Sequence, residues 1–161
     1  MAAAVDEAKG LPWRDEIEVR IDLPLNAFIP KDYIADENAR LESYRRVASV
    51  RADDDITEVR TELQDRYGSP LPPPVEGLFD VAGLRRVMVD AGINEAATVA
   101  GNLRIRPIEL EDSRQVRLQR ILPGAEYRAE TRTLLVPERM MPESEAVKWV
   151  TEILEQLTSS R

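Results

Sequence analysis

The chain has 161 residues, 43% of them hydrophobic, a length and composition that suit one compact domain of ordinary size. Its formal net charge of -8 disfavours binding to nucleic acid or anionic lipid, because those polyanions attract mainly Lys and Arg. It contains no cysteine and no histidine, which excludes disulfides, thiolate nucleophiles and mechanisms that need a histidine base or ligand.

The start of the chain carries no targeting signal. The opening MAAAVDEAKG lacks the cationic start and apolar core of a signal peptide, and no run approaches the ~18 apolar residues of a membrane span. We therefore expect a cytoplasmic protein without a membrane partner. Residues 1–14 are charged and aperiodic, and we interpret them as a linker from which Trp13 could dock on a single domain, residues 15–161.

A strand is the first predicted element. In EIEVRIDLP the apolar residues alternate with charged ones, the period of two that is typical of a half-buried strand. The apolar set is Ile17, Val19, Ile21 and Leu23, and Pro24 ends the strand.

Two amphipathic helices follow. Asp36 can cap the first, and Asp55 and Glu58 have the spacing of a capping box for the second, which Gly68 ends. Apolar residues recur at spacings of three and four in both. The predicted stripes are Leu41, Tyr44, Val47 and Ala48 in the first helix and Ile56, Val59, Leu63 and Tyr67 in the second.

The segment SPLPPPVEG cannot continue a helix, because proline lacks the amide hydrogen and fixes φ. It predicts a stiff connector, with Pro74 in the first turn of a third helix that Gly92 ends. The apolar residues of this helix cover most of its circumference, which predicts burial on more than one side.

The second half reads as a small sheet with helices. The pattern predicts a hairpin around Gly101 and Asn102, a basic helix capped by Asp112 and Gln115, two strands in AEYRAETRTLLVPE, and an amphipathic helix from Pro142. The predicted fold class is α+β: a helical first half packed with a small, mostly antiparallel sheet and a C-terminal amphipathic helix.

No motif predicts catalysis. The aspartates at 53–55 lack the glycine turn and distal glutamate of a calcium loop, so helix capping explains them better. The scattered glycines form no phosphate-binding loop, and no serine has a histidine to activate it. We predict no catalytic residue, metal site or cofactor.

An arginine-rich region offers an alternative function. These side chains could form a nucleic-acid patch with Tyr127 to stack, although the i, i+3, i+6 spacing on the basic helix favours a solvated face and DNA binding is not the preferred reading. The set is Arg104, Arg106, Arg114, Arg117, Arg120, Arg128 and Arg132.

A charged trio lies just before the proline connector. Glu62, Asp65 and Arg66 occupy positions i, i+3 and i+4 of the second helix, so Glu62 can pair with Arg66. Position alone favours an ordinary helix surface.

Three segments in order resemble one family. RLESYRRVASV, ELQDRYGSPLPPPVEGLFDVAGLR and LRIRPIELEDSRQVRLQRILPGA follow a pattern of an R-L-x-x-Y-[KR]-R helix, an E-L-x-D-R-[FY]-G helix end, a proline turn and a helix ending in L-R. Over roughly residues 16–157 the chain resembles the C-terminal domain of the bacterial transcription-repair coupling factors, the Mfd translocases.

The resemblance implies a non-catalytic regulatory domain, to which the ATPase and translocase activity of the family's motor domains does not carry over. In the family this domain packs on the N-terminal UvrB-like module of the same protein and covers the surface that recruits UvrA. It restrains the protein until a stalled RNA polymerase is engaged. The acids and arginine of the family's E-L-x-D-R contact correspond to Glu62, Asp65 and Arg66.

Overall fold

The structure is a computed structural model that describes residues 19–50, 52–142 and 144–158, apart from the side chain of Asp53. The predicted linker, with Trp13, and Ile17 of the predicted strand lie outside the described residues. The strands are β1 (Arg20–Asp22), β2 (Glu95–Val99), β3 (Asn102–Arg106), β4 (Glu126–Arg128) and β5 (Thr133–Pro137). The helices are α1 (Glu37–Ala48), α2 (Asp53–Tyr67), α3 (Pro73–Ala91), α4 (Asp112–Ile121) and α5 (Ala146–Thr158), with a 3-10 turn at Glu138–Met140.

The five strands form one sheet in the order β1-β2-β3-β5-β4. Only the pairing of β1 with β2 is parallel, and the other three pairings are antiparallel. The hairpin between β2 and β3 turns at Ala100 and Gly101, whose φ angles of 54° and 83° suit the right-handed twist of the strands. The α+β prediction with a mostly antiparallel sheet is confirmed.

Helix α3 joins two hydrophobic clusters, as its all-round apolar pattern predicts. Its first half supplies Val75, Phe79 and Ala82 to a cluster with α1 and α2. Its second half supplies Leu84 and Met88 to a larger cluster beneath the sheet. The apolar face of α5, predicted to be amphipathic, lies in the same larger cluster and consists of Val147, Val150, Ile153, Leu154 and Leu157.

The helix starts correct several predictions. Asp36 caps α1 through a 2.8 Å bond from the Ala39 amide, as expected. Helix α2 begins earlier than the predicted capping box at Asp55, with Ala52 as N-cap and a first bond from the Ile56 amide to the Ala52 carbonyl at 3.2 Å. All three aspartates therefore lie in the first turn, where the helix dipole favours negative charge.

Two later helices also begin away from their predicted caps. Helix α4 has Glu111 as N-cap, and the Gln115 side chain instead donates to the Leu110 carbonyl at 2.9 Å. Helix α5 begins at Ala146 rather than at Pro142, because Glu145 adopts a left-handed φ of 63° that a continuous helix excludes.

The helix ends agree with the sequence. Gly68 follows α2 with φ 116°, and Gly92 follows α3 in the left-handed conformation with φ 76°. Two predicted stripe residues of α1 are misplaced, since Leu41 is 46% exposed and Ala48 is also exposed. None of the helices in the described ranges is long and apolar enough to cross a membrane.

Candidate protein interaction site

The predicted trio lies on the last turns of α2, where the helix reaches the protein surface. Asp65 and Arg66 are exposed, and the Arg66 guanidinium lies 5.4 Å from the centre of the Tyr67 ring. Among the residues that the structure describes, no ion pair or side-chain hydrogen bond is seen for Asp65. An acid and a base at consecutive positions of α2 are thus both exposed to solvent.

Glu62 is bound within the domain. Its carboxylate lies 2.9 Å from the Arg46 guanidinium at the end of α1, so the predicted pairing with Arg66 is replaced by a contact between helices. The two side chains are 43% and 37% exposed, a setting in which an ion pair contributes about 0.2–1 kcal/mol. Of the trio, Asp65 and Arg66 are therefore the more available for an outside contact.

The end of α2 is held by Tyr33. The Tyr33 hydroxyl lies 2.8 Å from the Gly68 carbonyl oxygen and 3.1 Å from the Leu63 carbonyl oxygen. Its one hydrogen is shared between these two acceptors. Its ring packs against Tyr67 at 5.9 Å between centroids. Burial raises the pKa of Tyr33, which keeps the hydroxyl protonated as that donor.

The connector after Gly68 is fixed at both ends. Leu71 is buried. The Pro72 carbonyl accepts the first hydrogen bond of α3, which the Val75 amide donates at 2.9 Å. Arg60 of α2 lies 2.8 Å from the Glu76 carboxylate of α3, which ties the two helices together across the turn. The exposed pair is thus carried on a helix end with little freedom to move relative to the domain.

The polar residues of RLESYRR organise the backbone around the same site. Arg40 donates to the Ile34 carbonyl at 2.9 Å, and the Tyr44 hydroxyl accepts the Ile29 amide at 2.8 Å. The helical spacing places Tyr44 on an apolar stripe, but it gives no sign of which backbone amide the tyrosine hydroxyl will meet.

Removal of the Tyr44 hydroxyl is expected to destabilise the domain by about 1–2 kcal/mol, because the Ile29 amide then loses its acceptor in a partly buried position. Urea unfolding of Tyr44→Phe measures this difference. Tyr67→Phe is the matched control, since the structure shows no bond from that hydroxyl among the described residues. Equal stability of the two variants would contradict the assigned role of Tyr44.

Six of the seven arginines of the alternative patch, all but the exposed Arg120, are seen bound to acceptors within the described residues. Arg114 donates to the Leu157 carbonyl and Arg117 to the Gln156 carbonyl at 3.0 Å, so α4 caps the end of α5. The predicted solvated face is corrected in this respect. Arg128 pairs with Glu126 at 2.7 Å and Arg132 with Glu109 at 3.2 Å.

The stacking residue proposed for that patch is also engaged. The Tyr127 hydroxyl accepts the Leu110 amide at 3.2 Å and donates to the Ile108 carbonyl at 2.8 Å. Its ring packs against the larger hydrophobic cluster. These contacts give Tyr127 a structural role within the domain, so the geometry does not favour the nucleic-acid interpretation.

A second polar cluster lies on the open face of the sheet. The Glu95 carboxylate, 9% exposed, receives two bonds of 3.0 Å from Arg104 and one of 2.7 Å from Arg20. Arg106 adds an ion pair at 2.7 Å. The bonds from Arg104 are the main cause of the lowered pKa of Glu95, although burial acts in the opposite direction.

No metal centre is found in the described part of the chain, where no group of three or more acidic side chains is arranged to hold an ion. What the site offers is an exposed acid and base on a rigid helix end. Such an arrangement suits a polar contact with another protein surface. In a contact of this kind, the charged side chains provide register and specificity.

The fold as a whole matches a known domain. A crystal structure of the C-terminal domain of transcription-repair coupling factor superposes with a TM-score of 0.70, covering 89% of this chain and 96% of that chain at 16% sequence identity. At this identity the match establishes the fold.

The sequence comparisons establish the family. The model of the TRCF domain matches residues 23–119, and the chain belongs to this family. It is 49% identical over 121 residues to the transcription-repair-coupling factor of Mycobacterium tuberculosis, covering 74% of this chain and 10% of the relative. To that of Escherichia coli it is 33% identical over 99 residues, covering 62% and 8%. The chain thus spans about a tenth of the curated relatives' length.

Proposed function

We propose that this chain is the autoinhibitory interaction domain of a transcription-repair coupling factor, without catalytic activity of its own. It packs on the UvrB-like module of the same protein, masks the surface that recruits UvrA, and restrains the motor until a stalled RNA polymerase is engaged. The observation that carries this proposal is the exposure of Asp65 and Arg66, at consecutive positions, on a helix end that is held by contacts with the rest of the domain.

The chemistry of this surface suits a contact that must open. Exposed ion pairs contribute little free energy each, so an interface built on them is weak between separate molecules. Within one chain, a linker raises the effective concentration of the two partners and makes a weak contact sufficient. A release signal then needs to overcome only a small free-energy difference.

The contact is expected to fail when its charges are reversed. In calorimetric titration against the separate UvrB-like module, Asp65→Lys with Arg66→Glu should lower the affinity at least about tenfold, because each new side chain meets a like charge. Binding of the unchanged domain should weaken as salt rises, as screening requires for exposed charges.

The matched control is Glu126→Lys with Arg128→Glu, which reverses an exposed ion pair on β4 and leaves the two charges paired. It should bind as the unchanged domain does. Undiminished affinity of the Asp65 and Arg66 variant would refute this contact. In the full-length protein, the same variant should recruit UvrA without a stalled polymerase, and continued repression would contradict the proposed regulation.

A further inference from the structure

A groove of about 620 Å³ lies between an extended segment and the starts of α3 and α5. This volume falls within the usual range for ligand sites, about 300–1,000 Å³. One wall is formed by Pro24, Leu25 and Asn26, and the other by residues 144–148. The floor is the first part of α3.

The extended wall is fixed in place. The Phe28 amide donates to the Pro74 carbonyl at 3.1 Å, and the segment crosses α3 directly over Gly77. Leu23 and Ile29 are buried on either side of it, at 7% and 3% exposure. Leu25 and Phe28 nevertheless each remain 45% exposed. A fixed backbone thus holds the apolar side chain of Leu25 in solvent at the edge of the groove.

The groove is short of positive charge. Its lining contains three acidic side chains, Glu76, Asp80 and Glu145, and one basic side chain, Lys148. The Glu76 carboxylate is already bound by Arg60. Asp80 is partly buried, and none of the ion pairs within the described residues includes it.

The electrostatics of Asp80 agree with this shortage. Burial is the largest cause of its raised pKa, and Glu76 and Glu145 act in the same direction. Lys148 and Arg60 act against it without cancelling it. A cation that entered the groove would stabilise the charged form of Asp80, whereas an anion would face three carboxylates.

We propose that this groove binds an extended segment of a partner protein in which a Lys or Arg side chain pairs with Asp80 and a neighbouring apolar side chain packs on Leu25. The exposed side chain of Leu25 supplies apolar contact area. The Asp80 carboxylate on the floor of the groove selects a positively charged side chain of the partner. This site uses α3, α5 and the segment before them, and is independent of Asp65 and Arg66 on α2.

Amide chemical shifts of the isotope-labelled domain, followed during peptide titration, test the proposal. The probe is acetyl-Leu-Arg-Leu-Leu-amide, and acetyl-Leu-Glu-Leu-Leu-amide is its charge-reversed counterpart. The arginine peptide should shift the Leu25, Gly77 and Asp80 amides and bind at least about tenfold more tightly than the glutamate peptide.

Two variants distinguish the effect of the Asp80 carboxylate on peptide binding from a general effect of changing a charge on α3. Asp80→Asn should weaken the arginine peptide about tenfold, since it removes the charge and keeps the shape of the side chain. Asp90→Asn, near the end of the same helix and outside the groove, should leave binding unchanged. Leu25→Ser should weaken both peptides alike, because it removes apolar contact area at the edge of the groove.

Three results would overturn the proposal. The first is that the chemical shifts of these amides do not change up to about 5 mM arginine peptide, which would mean that the groove has no useful affinity for the peptide. The second is equal binding of the arginine and glutamate peptides. The third is a full response to argininamide alone, which would make the groove a site for small cations rather than for a peptide.

Discussion

Gly77→Ala is expected to destabilise the domain by about 2 kcal/mol, although alanine is the better helix former by about 1 kcal/mol. A Cβ at this position would fall inside the contact distance of the Asn26 carbonyl oxygen, 3.2 Å from the Asn26 carbonyl carbon and 3.3 Å from the Ala27 Cα. These atoms are backbone and cannot rotate away. The segment must lift from α3, which also strains the bond from the Phe28 amide to the Pro74 carbonyl.

Gly83→Ala on the same helix provides the matched control. A Cβ there meets nothing within 4 Å, so only the helix propensity changes and stability should rise by up to about 1 kcal/mol. Urea unfolding of both variants should therefore give effects of opposite sign. If Gly77→Ala were as stable as Gly83→Ala, the crossing of the segment over α3 would not be as close as the structure has it.

The contrast between these two glycines shows where sequence reasoning ends. Both lie inside a helical pattern, and nothing near either one in the sequence distinguishes them. The difference arises from Asn26, about fifty positions earlier in the chain, whose backbone lies against one glycine and not the other. Periodicity reports which face of a helix is apolar, but it does not report which loop crosses that face.

Helices were predictable where the apolar period was strong. The stripe of α5 is buried throughout, and both glycine stops at the ends of α2 and α3 are where the sequence places them. Helix starts were less predictable, because several residues can cap and tertiary contacts choose among them. Gln115 illustrates this, since its side chain bonds to the Leu110 carbonyl instead of forming a capping box.

The candidate site divides in the same way. The positions of Glu62, Asp65 and Arg66 on one helix followed from spacing, and their proposed role came from the family resemblance. The partner of Glu62 could not be read from spacing, because Arg46 at the end of α1 competes with Arg66 one turn away. Local pairs are predictions about an isolated helix, and a packed neighbour can replace them.

Glu95→Gln is expected to destabilise the domain by about 2–3 kcal/mol at neutral pH. Breaking a buried ion pair typically costs about 3–5 kcal/mol, and the lower value applies here because Arg20 and Arg106 remain about half exposed. The amide keeps the shape of the carboxylate but loses its charge, and its NH₂ group faces guanidinium donors. The exposed pair of Glu126 and Arg128 supplies the control, since Glu126→Gln should change stability by less than about 0.5 kcal/mol.

The effect of Glu95→Gln should depend on pH in a definite direction. The pKa of Glu95 is lowered in the folded state, chiefly by the bonds from Arg104, so the folded state binds its proton less readily than the unfolded chain. The stabilisation that the charged Glu95 gives is therefore complete above the pKa of the side chain in the unfolded chain, about 4.3. It is lost as pH falls through the lower pKa of the folded state. Unfolding of both proteins at pH 7 and at several values below pH 4 should show the two stabilities converging in acid. A constant difference across that range would mean that the carboxylate acts through its shape rather than its charge.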